Sequence, residues 1–269
     1  MNELALFAGI GGGILGGKLL ECRTICAVEI QPYCREVLLR RQRDGVLPMF
    51  PIWDDIRTFD GRKWTGRVDI ITGGFPCQDI SAAGRGEGLS GERSGLWKEM
   101  ARVICEVRPR FVFIENSPLL RTRGLSKVLK DLAEMGYDAK WGVLGARNIG
   151  APHKRDRMWV YAYSQLLGWY ERSVQSVQSE FEKPRLSNAN HVCEDIPNAG
   201  EFGFKKVKFS DGTEKKVPML TGSSWWETEP RLDRVANGIP NRVDRIKALG
   251  NAQVPGVARL AYELLKGER

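Results

Sequence analysis

The sequence predicts an α/β protein built on a mainly parallel sheet with helices on both faces. Three observations carry that expectation. Short apolar runs alternate with helical patterns through the first 165 residues, the runs are nearly continuous, and the first empties into a glycine-rich turn. Continuous runs suit strands covered on both faces. Strand-helix alternation implies right-handed crossovers, which leave ligands at the carboxyl ends of the strands.

Strands are expected at residues 4–7, 24–29, 68–72, 111–115 and 158–163, with a further short run just before Asp55. Pro32 suits the first position of a helix continuing through Tyr33, Val37 and Leu38, because its φ is already helical and its missing N–H is not needed there. Leu96, Met100, Val103, Ile104 and Val107 share one helical face, as do Leu125, Val128, Leu129 and Leu132. From about residue 165 to 230 the character changes. The stretch SVQSVQSEFEKP is polar and linker-like. In KKVKFSDGTEKKVP, Asp211 and Gly212 stand between two basic, partly alternating runs, which is a hairpin signal. Val207 and Phe209 are expected on one face of it and Lys206 and Lys208 on the other. Val254, Val257, Ala258, Ala261, Leu264 and Leu265 recur at helical spacing and predict a closing helix. The expected division is a first domain at 1–164, a small lobe at 165–230, and a segment at 231–269 that returns to the first domain.

The 269 residues carry 41 Lys plus Arg against 33 Asp plus Glu, a formal charge of +8, which favours a polyanionic partner. With 42% hydrophobic and 28% charged residues the chain is globular and not disordered. No run approaches the roughly 18 apolar residues of a membrane span. LALFAGIGGGILGG is interrupted by glycines and follows Asn2 and Glu3 instead of basic residues, so a signal peptide is not expected. The six cysteines form no CxxC pair and the histidines are His153 and His191, so neither a metal site nor a disulfide framework is expected. A reducing cytoplasm is the expected compartment.

The turn in LALFAGIGGG lets backbone approach a ligand closely, and Phe7 is placed to lie against a flat ring. Glu29, at the end of the second strand, has the chemistry to accept hydrogen bonds from ribose hydroxyls, and Asp55 with Ile56 to hold an adenine. Together they describe an adenosine-type pocket; a tight turn with two solvated acids is the alternative. Cys77 follows Pro76 at the end of the third strand. A thiol with a pKa of about 8.5 is mostly protonated at neutral pH, so a reactive Cys77 needs nearby positive charge. Arg155 and Arg157 supply it if their segment folds back to the same edge; a buried, inert thiol is the alternative. Cys22, Cys26, Cys34 and Cys105 fall within strand or helix patterns and read as packing. Residues 79–94 are glycine-rich and charged, as expected of a lid or binding loop. Glu115 ends the fourth strand, where it is expected beside Cys77.

LALFAGIGGG, GGFPCQDIS, IENS, APHKRDRMW and LGNAQVP occur in this order, and together the sequence resembles the DNA cytosine-5 methyltransferase family. The likeness spans nearly the whole chain except about 165–230. Residues 225–251 look like the corresponding segment of phage and prophage members. The resemblance implies a Rossmann-like methyltransferase sheet, S-adenosylmethionine as methyl donor without a metal, and double-stranded DNA as partner, with residues 165–230 as target-recognition lobe. It implies that Phe7, Gly9, Gly11, Glu29, Asp55 and Ile56 line the cofactor pocket and that Asn251 and Ala252 complete it. Cys77 becomes the nucleophile on C6 of a flipped-out cytosine, Glu115 the group on N3, Arg157 the partner of O2, and Arg155 a support for Glu115 or the backbone. Ser81, Arg85 and Arg93 are expected to close over the base. Lys206 and Lys208, with Lys205, Lys215 and Lys216, are expected on phosphates.

The alternatives at this stage are that both arginines only bind phosphate and that the lysines form a solvated hairpin face. Trp225 and Trp226 are expected to anchor the lobe by packing. Ser117 stands where the family usually has Val, and His153 where it usually has Gln. Rival functions are cytosine-5 methylation of tRNA, a catalytically silent DNA-binding module and a nicotinamide dehydrogenase. A monomer in a bacterial or phage-infected host cell is expected; a cognate restriction enzyme is a partner that the resemblance leaves open.

Overall fold

The computed structural model describes residues 1–76, 95–165, 202–208, 214–220 and 241–267, with backbone alone for 202–208 and 214–220. Seven strands form one sheet: β1 (Asn2–Leu6), β2 (Arg23–Val28), β3 (Ile52–Trp53), β4 (Ile70–Gly73), β5 (Phe111–Asn116), β6 (Tyr137–Leu144) and β7 (Arg157–Ser164). Their order is β3-β2-β1-β4-β5-β7-β6. The first five pair in parallel, whereas β7 runs antiparallel to both β5 and β6. This is a Rossmann-like arrangement, mainly parallel as its apolar runs predict. The edge strand β6 was not expected. Its burial is mixed along its length, and lying at the sheet's margin it needs no continuous apolar run.

The side chains of the strands divide between two faces. Leu4, Leu6, Ile71, Val112, Ile114 and Val160 pack on one face with α3 (Gly95–Val107) and α5 (Leu125–Glu134), whose buried residues include Trp97, Met100, Val128 and Leu132. Trp97 is fully buried, and its indole N–H donates to Asp131 at 2.7 Å, so α3 and α5 are tied by a polar bond inside their apolar seam. On the opposite face α1 (Gly12–Lys18) and α2 (Pro32–Arg43) cover Ala5 and Ala27. Pro32 occupies the first turn of α2, as its restricted φ predicts.

The chain's last helices are α6 (Arg242–Asn251) and α7 (Pro255–Lys266), which follow the short α4 (Leu120–Arg123) and α5 in chain order. Val257, Ala258, Ala261, Tyr262 and Leu265 of α7 bury themselves against Ile70, Phe113, Trp159 and Tyr161. Full burial of a side chain the size of Val257 or Leu265 is worth about 1.5–3 kcal/mol, so the C-terminal segment is held on the sheet by its own apolar face. The expected hairpin is present as β8 (Phe202–Lys208) paired antiparallel with β9 (Glu214–Leu220). Asp211, Gly212, Phe209, Trp225 and Trp226 lie outside the described residues.

Beneath α1 lies a fully buried carboxyl group. Glu3 of β1 receives hydroxyl hydrogen bonds from Thr24 at 2.6 Å and Thr72 at 2.7 Å, and burial pushes its pKa above the ordinary value of 4.5. The proton held in the folded state is released on unfolding above about pH 4.5, so stability falls as the pH rises from there. Glu3→Gln lacks that proton. Its urea midpoint is expected to match the wild type near pH 4 and to exceed it increasingly as the pH rises above about 4.5; a gap independent of pH would mean that Glu3 is ionised in the fold.

Candidate active site

The carboxyl ends of β1, β4 and β5 meet at a crevice that the C-terminal segment closes from the other side. β1 stops at Leu6 because Phe7 turns into the left-handed region with φ 53°, followed by Gly9 at 53° and Gly11 at 87°. Only glycine adopts such angles without strain, which is why the turn is glycine-rich. The crevice opens about 400 Å³, part of it continuous with solvent, and its lining includes Phe7, Gly9, Gly74, Glu115, Asn251 and Ala252.

Glu29 sets the shape of the turn. It is 6% exposed, and its carboxylate accepts the backbone N–H of Gly9 at 2.7 Å and of Gln31 at 2.7 Å. It is therefore a buried clamp between the glycine turn and the start of α2 and not a solvated acid. Each oxygen still has a lone pair for a hydroxyl. Asp55 and Ile56 behave differently. The Asp55 carboxylate caps a short 3-10 turn and binds Arg57 at 2.7 Å, which holds its pKa below the usual carboxylate range. Ile56 is buried in the core. Gly11, Glu29, Asp55 and Ile56 stand around the crevice without lining it.

Glu115 is 8% exposed at the end of β5, and Arg157 Nε lies 2.8 Å from its Oε1. The pairing follows from the antiparallel direction of β7: its first residue comes level with the last residues of β5, Met158 facing Asn116 and Trp159 facing Glu115. Burial pushes the Glu115 pKa up to about 7, against the opposing pull of Arg157 and then Arg155. A carboxyl group that half-holds its proton at neutral pH can serve as hydrogen-bond donor or acid.

Arg155 faces the other way. Its guanidinium donates to the carbonyls of Leu249 at 3.3 Å, Gly250 at 2.8 Å and Ala252, so it pins the loop that carries Asn251 and Ala252 over the crevice. Burial and then the like charge of Arg157 lower its pKa, though it stays cationic. Asn116 Nδ2 donates to the Phe75 carbonyl at 3.2 Å, fixing the chain two residues before Cys77. Cys77 itself, like Ser81, Arg85 and Arg93, lies outside the described residues. Burial pushes the thiols of Cys22, Cys26 and Cys34 up to about 11, 12 and 11, which makes them inert at neutral pH. Cys105 differs from expectation in being exposed, on the solvent side of α3.

Arg102 was not foreseen. From α3 it donates to the carbonyls of Ile56 at 2.7 Å and Phe59 at 3.0 Å while pairing with Glu99 and Glu106, and so holds the Asp55–Ile56 turn in place. In the sequence it is one arginine on the polar face of an amphipathic helix, and carbonyl partners 43 and 46 positions away leave no signal there.

The Glu115 titration is directly observable. In the protein without DNA, the carboxyl carbon-13 resonance of Glu115 is expected to titrate with a midpoint at about 7. Arg157→Ala should raise that midpoint by about one unit or more, because the charged form loses its cation. A wild-type midpoint near 4.5 would contradict this account.

The family model described as C-5 cytosine-specific DNA methylase matches residues 1–254. The Type II methyltransferase M.CviJI of Paramecium bursaria Chlorella virus IL3A is 35% identical over 162 residues, covering 60% of this chain and 42% of the viral protein. M.PspPI of a Psychrobacter species is 35% identical over 240 residues, covering 84% of this chain and 55% of its own. The chain thus spans about half the length of the curated relatives it matches. In fold it is similar to a solved structure described as a putative DNA modification methyltransferase from an E. coli prophage. That likeness has a TM-score of 0.51 at 22% identity and covers 77% of this chain and 59% of the other.

Proposed function

We propose, for a chain that belongs to the C-5 cytosine-specific DNA methylase family, that it transfers a methyl group from S-adenosylmethionine to C5 of a cytosine in duplex DNA. The observation that carries this reading is the Arg157–Glu115 pair, a carboxyl group poised near neutral pKa beside the crevice. The crevice fits the donor in chemical terms: a buried carboxylate beside the glycine turn suits ribose hydroxyls, and the open backbone suits a close-lying ligand. Phe7, Gly9, Asn251 and Ala252 would hold it from the walls of the crevice, and Gly11, Glu29, Asp55 and Ile56, which stand around the crevice, from outside its lining. When bound, it supplies an electrophilic methyl group on a sulfonium.

The chain's own residues do the rest. Cytosine C5 is a poor nucleophile, so the Cys77 thiolate adds to C6 while Glu115 gives its proton to N3, leaving an enamine whose C5 can accept the methyl group. Arg157 orients Glu115 and meets the cytosine O2; Arg155 keeps the Asn251–Ala252 loop closed. Loss of the C5 proton then expels Cys77 and restores the aromatic ring. The base must leave the stack to reach these groups, at a cost of a few kcal/mol, and residues 79–94, with Ser81, Arg85 and Arg93, are assigned to hold it there. Residues 1–164 form the catalytic unit in this reading, 165–230 the recognition lobe and 231–269 the returning segment. In the hairpin, Lys206 pairs in register with Lys216, a local positive charge that suits a phosphate backbone, while Lys208 pairs with Glu214. The protein acts as a monomer inside the cell, and a cognate restriction enzyme would be its natural counterpart.

Labelled methyl groups are expected to enter duplex DNA, and bisulfite sequencing of DNA from expressing cells should place them on cytosines in one sequence context. Cys77→Ser should lower turnover by a factor of about 10³ or more while DNA binding, steeply weakened by salt, is retained. Duplex DNA carrying 5-fluorocytosine should trap the wild type covalently and Cys77→Ser not at all. Label entering tRNA alone, or a wild type that is never trapped, would overturn the assignment.

A further inference from the structure

We propose that Arg102 is a positioning residue for the cofactor, setting the affinity for its adenosine end through the turn that carries Asp55 and Ile56. The inference rests on the reading of that turn as the adenine site of an S-adenosylmethionine-dependent enzyme. β3 ends at Trp53, whose carbonyl accepts the N–H of Glu29 at 2.9 Å, so the turn begins one strand outward from the buried clamp. It is a single 3-10 turn, Ile56–Thr58, and its own backbone bonds are long: Thr58 to Asp55 at 3.1 Å and Phe59 to Ile56 at 3.2 Å. One such turn is marginal without outside support. The shorter bonds come from α3, where Arg102 Nη2 donates to the Ile56 carbonyl at 2.7 Å and Nη1 to the Phe59 carbonyl at 3.0 Å.

The surroundings explain why this arginine serves carbonyls. α3 buries Trp97, Met100, Val103, Ile104 and Val107, which leaves Arg102 on its polar side. Glu99 and Glu106, one turn away in either direction, hold its Nε at 2.8 Å and its Nη1 at 2.9 Å and so fix the plane of the guanidinium. The acids of the turn and of the one after it are engaged elsewhere, Asp55 with Arg57 at 2.7 Å and Asp60 with Arg62 at 2.9 Å.

The same face of α3 fastens the chain further on. Glu106 accepts the N–H of Gly61 at 2.8 Å, and a Cβ at Gly61 would stand 2.9 Å from that carboxylate oxygen. Thr65 donates to the Glu106 carbonyl at 2.9 Å, and Phe59 is buried in the core. Those three contacts hold the side away from the ligand. Among the described residues, Arg102 is the side chain that bonds Ile56 from outside the turn. Its loss therefore frees the ligand-facing end while the remainder stays seated. A ligand must then order the turn as it binds, and its apparent Kd rises as the competent fraction falls. A lysine ammonium cannot replace the planar fork that reaches both carbonyls and both carboxylates.

The test uses the full chain with Arg102→Met and Arg102→Lys, and Trp97→Phe as a control that loosens the same helix by breaking its bond to Asp131. Arg102→Met is expected to raise Kd for both S-adenosylhomocysteine and adenosine about tenfold or more, with Arg102→Lys between it and wild type. KM for S-adenosylmethionine should rise in step, while kcat at saturating cofactor and Kd for duplex DNA stay within about threefold. In the ligand-free protein, amide hydrogen exchange at Thr58 and Phe59 should quicken by a similar factor in Arg102→Met and not in Trp97→Phe. Unchanged exchange there would overturn the proposal, as would a loss of S-adenosylhomocysteine affinity that adenosine does not share. An equal rise in Kd in Trp97→Phe, at an equal drop in urea midpoint, would reduce Arg102 to a support of the fold and overturn it too. Wild-type affinity in Arg102→Met would reject the role of Arg102 alone. A wild type that binds neither ligand would reject the methyltransferase reading and this proposal with it.

Discussion

The Arg157–Glu115 pair is the interaction on which the site depends, and it exists because one strand of the sheet runs backwards. In a parallel β7 the first residue would lie at the opposite edge, the full length of the strand away. Reversal brings Arg157 level with the end of β5 and sets a guanidinium 2.8 Å from a carboxyl group that burial alone would keep protonated well above neutrality. Burial and two arginines pull in opposite directions, and their balance leaves the acid near the middle of the physiological range. A stronger cation or a drier pocket would each spoil it.

A second constraint holds the site together from a distance in sequence. The end of α6 and the residues after it cross the crevice, and their backbone carbonyls are held by Arg155, two residues from the arginine that serves Glu115. α7 then buries its apolar face on the sheet. The start of β7 and the residues leading into it thus supply one arginine to the Glu115 carboxyl group and one to the segment over the crevice. Loosening the C-terminal helix would be felt at Asn251, Ala252 and Gln253 together.

Much of the fold is legible in the residues because both faces of the sheet are covered. Leu4, Leu6, Val28, Ile71, Val112 and Ile114 point to one face, while Ala5, Ala27, Ile70, Phe111 and Phe113 point to the other. Such strands appear as unbroken apolar runs bounded by glycine or proline. The edge strand β6 is only partly buried along its length and leaves no such run, so it escapes notice. Site residues at strand ends, such as Glu29 and Glu115, are legible for the same reason that the strands are. Arg102 is not, since it acts on carbonyls that only folding brings near.

By itself the sequence determined the alternation of elements, the glycine turn after β1, the strand-end positions of Glu29 and Glu115, and the family to which the chain belongs. These are local properties: periodicity, turn chemistry and spacing all reside within a few residues. Tertiary structure alone decided which arginine meets Glu115, that Glu29 is a buried clamp while Asp55 stays beside Arg57, and that Gln253 ends above Gly74. Those outcomes depend on strand direction and on the return of a distant segment. Hydrogen bonds and burial act over a few ångströms in space, and no distance along the chain encodes them.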